Sequence, residues 1–248
     1  GDFNEIKNNL NQCIEVVNGL VEEANRLVDA SVEGKLEVRG DVQRFGGDYA
    51  KLIEGMNTTV ETLVGHIDQI PTPAMIIDKE FTIRYMNRTG ADVIGLPQEQ
   101  LIGQKCYDHF KTSDCRTANC ACARAMSSGT SEDSETDAHP GEKDLFIQYS
   151  GVPVKDTSGQ IIGALEIVMD QTEVQKAMED AQIKVNYLNE IPTPVMVVDQ
   201  EFNVRFMNPA GASAVGKTPD ECKGKKCFSL FNTEHCNTEN CQVAKAMQ

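Results

Sequence analysis

The sequence predicts a multi-domain chain: an all-α, coiled-coil-like helical bundle, an α+β domain, and a C-terminally truncated second copy of that domain. Three observations predict this. Ile70–Met126 aligns without gaps on Ile191–Met247, 121 residues later, with 26 identities in 57 positions. Upstream of the first copy, apolar residues recur at alternating steps of four and three. Within each copy, short β-rich segments precede a helical stretch, and in the first copy longer β-rich segments follow it. The expected boundaries are 1–65 for the helical region, 66–170 for the first α+β domain, 171–190 for a linker helix and 191–248 for the second copy.

The helical region comes first. Ile6, Leu10, Cys13, Val17, Leu20, Ala24 and Leu27 keep the seven-residue beat, as do Tyr49, Ile53, Met56, Val60, Leu63, Ile67 and Ile70. Sustained four-three spacing marks a coiled-coil or bundle seam. Two helices from one chain leave much of such a stripe uncovered, so a parallel homodimer making four helices is the expected closure. Between the helices, "SVEGKLEVRGDVQRFGG" is a polar, glycine-rich connector with Leu36 and Val38 two apart as apolar anchors. A fainter repeat relates Gly1–Val17 to Gly47–Leu63. Helix, Gly-x-Leu connector, and a second helix opening on Gly-Asp with Asn57 inside it resemble a HAMP domain. Residues 1–17 resemble the tail of a preceding one. The proline common in the first HAMP helix is absent, so the resemblance is to a divergent member.

After Pro71 and Pro73 the period changes from helical to alternating. "AMIID" and "FTIRYMN" read as short strands around a turn at Asp78–Glu80, and short helical pieces run from Asn87 to Met126. "TSEDSETD" reads as a polar edge strand. "KDLFIQYSGVPV" and "IIGALEIVMD" read as long strands joined by the turn at Lys155–Gly159. This order, with "PTPAMIIDKEFTIRYMNRTGADVIG", "LIGQKCYDHF" and "GVPVKDTSGQIIGALEIVMDQTE", resembles a PAS domain over about 66–172, and over 187–248 without the last strands. The resemblance implies a five-stranded antiparallel sheet with helices on one face. Val174, Met178, Ala181, Val185 and Leu188 then carry the four-three beat through the linker to Pro192. A chain cut inside its second domain is expected from the repeat.

The net charge is -15, from 38 acidic and 23 basic residues, and no Lys/Arg cluster interrupts it. Such a surface repels nucleic acid and anionic lipid, so neither is an expected partner. The longest apolar stretch, 161–169, is far shorter than a membrane span and is broken by Glu166.

Nine cysteines are the chemical signal. The first module holds Cys106, Cys115, Cys120 and Cys122, and the second holds Cys222, Cys227, Cys236 and Cys241. Cys106, Cys115 and Cys120 align with Cys227, Cys236 and Cys241, whereas Cys122 aligns with Val243 and Cys222 with Leu101. Only Cys13 stands apart. Four thiols within so short a span are candidate metal ligands, for zinc or an iron–sulfur cluster. They are equally candidates for redox-active thiols or disulfides, and packing alone is the third reading. No CxxC pair occurs. Cys115 and Cys120 flank a polar turn, and Cys122 is expected to begin a helix ending at Met126.

Two other cofactors are disfavoured. "GQKCYDHF" is similar to the "GxNCRFLQ" segment of photoactive flavin domains, with Cys106 at the reactive cysteine, but Lys105, Tyr107 and Phe110 replace its Asn, Arg and Gln. For haem, His109 lies where some PAS domains place a ligand, but the second copy has Leu230. No nucleophile–base–orienter set and no phosphate loop is present, so enzyme activity is not expected.

The combined resemblance implies the cytoplasmic sensory and relay segment of a methyl-accepting chemotaxis receptor, or the cytoplasmic part of a membrane-anchored one. Its PAS modules would sense a redox, metal or small-molecule cue and pass it to a signalling module outside this chain. The alternative from another class is a thiol or metal redox enzyme using the cysteine clusters.

Overall fold

The computed structural model describes residues 2–247. They fall into two compact units, divided after Thr172.

The first unit opens with two long helices, α1 (Asp2–Val32) and α2 (Gly47–Asp68), joined by a connector with one 3-10 turn at Val42–Arg44. The connector is tied down by polar bonds. The buried Glu23 carboxylate accepts from Arg26 at 2.7 Å, from Arg44 at 3.0 Å and from the Asp41 amide at 2.7 Å. The Arg26 guanidinium is the main reason its pKa falls to about 2. Asn57 exchanges two bonds with Gly40, at 2.7 and 2.9 Å. Only a glycine fits there, because a Cβ on Gly40 would meet Ile53 Cγ2 at 2.6 Å. Leu27 and Ile53 are buried at this junction, while Leu36 and Val38 are half-buried. Elsewhere the seam is partly open: Ile6, Leu10, Cys13, Val17, Leu63 and Ile70 are exposed, while Leu20, Ala24, Met56, Val60 and Ile67 are half-buried.

The α+β part of this unit follows in the expected order. β1 (Ala74–Asp78) and β2 (Ile83–Met86) precede α3 (Arg88–Ile94), α4 (Gln98–Leu101), α5 (Cys106–Phe110) and α6 (Ala121–Ser128). β3 (Glu132–Ala138), β4 (Leu145–Lys155) and β5 (Ile161–Asp170) then complete an antiparallel sheet of order β2-β1-β5-β4-β3. The acidic strand is at the edge, where charged side chains stay solvated and discourage further pairing. The inner face of β5 is buried at Ala164, Glu166 and Val168. Gly163 is fixed by the pairing of β5 with β1, since a Cβ would lie 2.0 Å from the Ile77 carbonyl oxygen.

One residue ties α2 to the sheet. Asn87 is fully buried at the end of β2. Its Oδ1 accepts from Ala74 N at 3.0 Å and Gly90 N at 2.9 Å, and its Nδ2 donates to Thr72 O at 2.8 Å and to Ile67 O and Ile70 O at 3.4 Å. A single amide thus caps α3, seats β1 and holds the Ile67 carbonyl of α2 and the Ile70 and Thr72 carbonyls of the segment after it.

The second unit contains most of α7 (Thr172–Glu190), then β6 (Met196–Val198), β7 (Val204–Met207), α8 (Pro209–Ala214), α9 (Pro219–Cys222), α10 (Cys227–Phe231) and α11 (Gln242–Ala246). β6 and β7 form a two-stranded antiparallel sheet with the register and bulge of β1 and β2. Asn208 repeats the Asn87 arrangement: it accepts from Val195 N and Gly211 N, and donates to the carbonyls of Leu188, Ile191 and Thr193 at 2.9–3.1 Å. Among the described residues, no helix is long and apolar enough to cross a membrane.

Candidate functional site

The cysteine-bearing stretch of the first unit lies on the inner face of the sheet. Register brings Glu166 of β5 between Met75 of β1 and Gly151 of β4. Gly151 lets α6 settle onto the sheet, because a Cβ would lie 2.8 Å from the Cys122 backbone. That approach puts the fully buried Cys122 thiol 3.2 Å from Glu166 Oε2, as donor to the carboxylate. Burial is the main cause that raises the Glu166 carboxyl to about 7, and the negative charge of Cys120 adds to it. Cys106 and Cys122 belong to the same buried apolar cluster, with Cys120 packed against it.

The loop before α6 is held by a second set of bonds. Asp114 is buried and its Oδ2 accepts from Ser134 at 2.6 Å and from the Tyr149 hydroxyl at 2.9 Å. Tyr149 in turn accepts from Ala121 N at 3.2 Å, meeting one of the unpaired amides at the start of α6. Cys115 is half-buried, 3.1 Å from the Thr112 hydroxyl, and Arg116 takes a left-handed φ of 59° to turn the chain.

α6 starts at Ala121 and runs to Ser128, one residue before and two residues beyond the expected Cys122–Met126, because Ala121 carries no helix-start signal; Cys120 occupies its N-cap. The consequence is chemical. The Cys122 thiol and the Ala123 and Cys122 amides lower the Cys120 pKa to about 6. The other three are pushed up: burial leads for Cys106 and Cys115, and the neighbouring Cys120 sulfur leads for Cys122, followed by burial and Glu166.

In the second unit, Cys227, Cys236 and Cys241 line the same two cavities, of about 260 and 180 Å³. Cys236 is 3.3 Å from the Thr233 hydroxyl, and Asn237 repeats the left-handed turn at φ 58°. Cys222 is fully buried on α9 in the place Leu101 takes in the first unit, inside an apolar cluster that also contains Cys227. All nine cysteines are free, and among the described residues no three His, Cys, Asp or Glu side chains are disposed to hold a metal ion.

Cysteine spacing does not point to Glu166, Asp114 or Tyr149. Glu166 leaves one legible trace, a single acid inside the apolar run of β5. His109 has a buried Nε2 without a hydrogen-bond partner. A separate cavity of about 380 Å³ lies among Pro71, Val93, Phe110, Ile147 and Val168, with Thr72, Thr89 and Asp170 also on its wall.

The family profile described as PAS fold matches residues 67–176 and again 188–248. The chain is similar to a PAS domain from Colwellia psychrerythraea, at 20% identity and a TM-score of 0.41, covering 46% of this chain and 98% of that one. It is also similar to the PAS domain of nitrogen regulation protein NR(II) from Vibrio parahaemolyticus, at 12% identity and a TM-score of 0.37, covering 44% and 96%. A third similar structure is the PAS domain of Bordetella pertussis BvgS, at 17% identity and a TM-score of 0.35, covering 50% and 98%. No curated protein matches the chain.

Proposed function

The chain belongs to the PAS fold family, and from that premise we propose that it is the cytoplasmic sensory and relay segment of a chemotaxis-type transducer. In this reading residues 1–65 are a HAMP-like relay, 66–170 and 191–248 are successive PAS modules, and the cysteine-rich loop of the first module is the sensing element. The observation that carries the reading is the path out of the site. Glu166, under the cysteines, lies on β5, and β5 runs through Asp170 and Gln171 directly into α7. The junction is pinned to β4: Gln171 N donates to Phe146 O at 2.8 Å, and Phe146 N donates to Thr172 Oγ1 at 2.9 Å. A change at the loop that shifts β5 therefore acts on the first turn of α7.

The exposed seam of α1 and α2 and the exposed Val174, Met178 and Val185 of α7 support a parallel homodimer as the conduit. Hydrogen exchange of 172–190 in reduced and oxidised protein tests the reading. A change in α7 protection is expected on oxidation. Identical protection in both states, with the loop thiols demonstrably oxidised, would remove the sensory assignment.

A lowered thiol pKa also favours a thiol redox enzyme. Catalytic turnover of a small disulfide in the presence of a dithiol reductant is the result that would favour it. A metal-loaded cluster needs the loop at 111–120 to draw its sulfurs closer together. Metal analysis of anaerobically purified protein tests that form of the site.

A further inference from the structure

Asp68 is the last residue of α2, and a carboxylate there opposes the helix dipole. What it accepts accounts for its position. Oδ1 takes the Tyr85 hydroxyl at 2.8 Å, Gln98 Nε2 at 2.9 Å and the Arg88 amide at 3.1 Å. Those donors stand on β2 and at the first positions of α4 and α3, so one oxygen joins α2 to three elements of the first module. Gln98 Nε2 also reaches Met86 O at 2.8 Å, and the Thr89 hydroxyl donates to Ile70 O at 2.7 Å. Asn87 is sealed in the interior, whereas Asp68 and Gln98 are half-buried on the wall of a cavity of about 410 Å³. Two attachments of unlike access therefore hold the end of α2.

The second module keeps only the inner one. Asn208 repeats Asn87 and holds carbonyls at the end of α7 and after it, but Asn189 stands in the place of Asp68. Phe206 replaces Tyr85 and has no hydroxyl. Pro209 replaces Arg88 and has no backbone N–H, and Pro219 replaces Gln98 and has no side-chain amide. These three changes remove all three donors to the carboxylate, one from each element. Ala210, in the place of Thr89, removes the neighbouring hydroxyl as well.

We propose that Asn87 and Asn208 are pivots and that Asp68 is a latch, built into the first module alone, that makes α2 and that module turn as one body. A helix held through one side chain is free to turn about it. A second attachment away from that point fixes the turn. With the latch closed, rotation of α2 carries β2, α3 and α4 with it. The end of α7 has no such second attachment, so α7 turns against β7 and α8 while Asn208 stays bonded. The joint ahead of the first module is stiff and the joint ahead of the second is slack. Motion arriving along α2 is thus delivered into the first module rather than lost at its entrance. That use of the latch rests on the sensory reading above, whereas the latch itself does not.

The test is residue-resolved native-state hydrogen exchange on the full chain. Asp68→Ala removes hydrogen bonds to a charged group and is expected to speed exchange at 65–68 on the order of tenfold, with 53–60 and 161–168 unchanged. Tyr85→Phe, which installs the second module's residue, is expected to give a smaller change of the same sign. The reciprocal pair Asn189→Asp with Phe206→Tyr supplies the acceptor and one donor, and is expected to slow exchange at 186–189 several-fold. Slower exchange at 65–68 in Asp68→Ala is the outcome if the carboxylate acts only on the dipole of its own helix, and it would overturn the proposal. So would unchanged rates in either module, or a rise shared equally by 53–60 and 161–168. If Asp68→Ala frees 65–68 but oxidation leaves α7 exchange unaltered, the latch stands and the sensory reading falls. If oxidation alters α7 while 65–68 ignores Asp68→Ala, the reverse holds.

Discussion

The two modules write the same loop into different surroundings. In the first, β4 and β5 lie beneath α6, and their inward residues Tyr149, Gly151 and Glu166 meet Asp114, Cys122 and Ala121. In the second, Asp114 is replaced by His235, Cys122 by Val243, and the loop sulfurs border cavities. The repeated cysteines therefore share a local conformation but not an environment. Reactivity follows the environment, because burial and neighbouring dipoles set how easily a thiol ionises.

The largest expected effect compares the two buried asparagines. Asn87→Ala strands the Ala74 and Gly90 amides and the Thr72 carbonyl, and should destabilise the first unit by about 3–5 kcal/mol. Asn208→Ala should cost about half as much, because water can reach the exposed Ile191 and Thr193 carbonyl region. Native-state hydrogen exchange at 83–86 and 204–207 reads both. Equal losses would mean that the two clamps are equally shielded, contrary to the comparison.

Next comes pH. The folded state holds the Glu166 proton more tightly than the unfolded chain, with the pKa raised from 4.5 to about 7. Stability of the first unit should therefore fall as pH rises through that window, by ~3 kcal/mol in all. The groups facing this carboxyl are Cys122 and, through their charge, Cys106, Cys115 and Cys120. Glu166→Gln should flatten the profile. Urea unfolding of both proteins from pH 4.5 to 7 checks it, and parallel slopes would show that Glu166 does not titrate in this range.

Gly151→Ala should cost ~2 kcal/mol by pushing α6 off β4, since the added Cβ meets backbone rather than a flexible side chain. The readout is faster alkylation of Cys122 with no change at Cys241. Unchanged protection of Cys122 would mean that α6 accommodates the methyl group. Smallest is the matched pair Thr112→Val and Thr233→Val, each losing one hydroxyl–thiol contact worth about 0.5–1 kcal/mol. Comparable shifts in the two loops would sharpen the view that their local geometry is the same.

The strands, the repeat and the heptad beat were legible because each is a periodic property of neighbouring residues. β1 and β5 occupy 74–78 and 161–170, the segments that alternation and apolar runs point to, and α7 ends at Glu190 just before Pro192. Aligned cysteines were legible for the same reason. The sequence by itself determined which elements form, which thiols belong to each module and where the chain changes from helix to sheet. Only the tertiary structure decided which cysteine stands at the N-cap position of α6, that Cys122 faces a carboxylate 44 residues away, and that Asn87 holds carbonyls 15 to 20 residues upstream. Those pairings depend on strand register and on glycines that let a helix approach the sheet. No local period encodes a through-space distance of that kind.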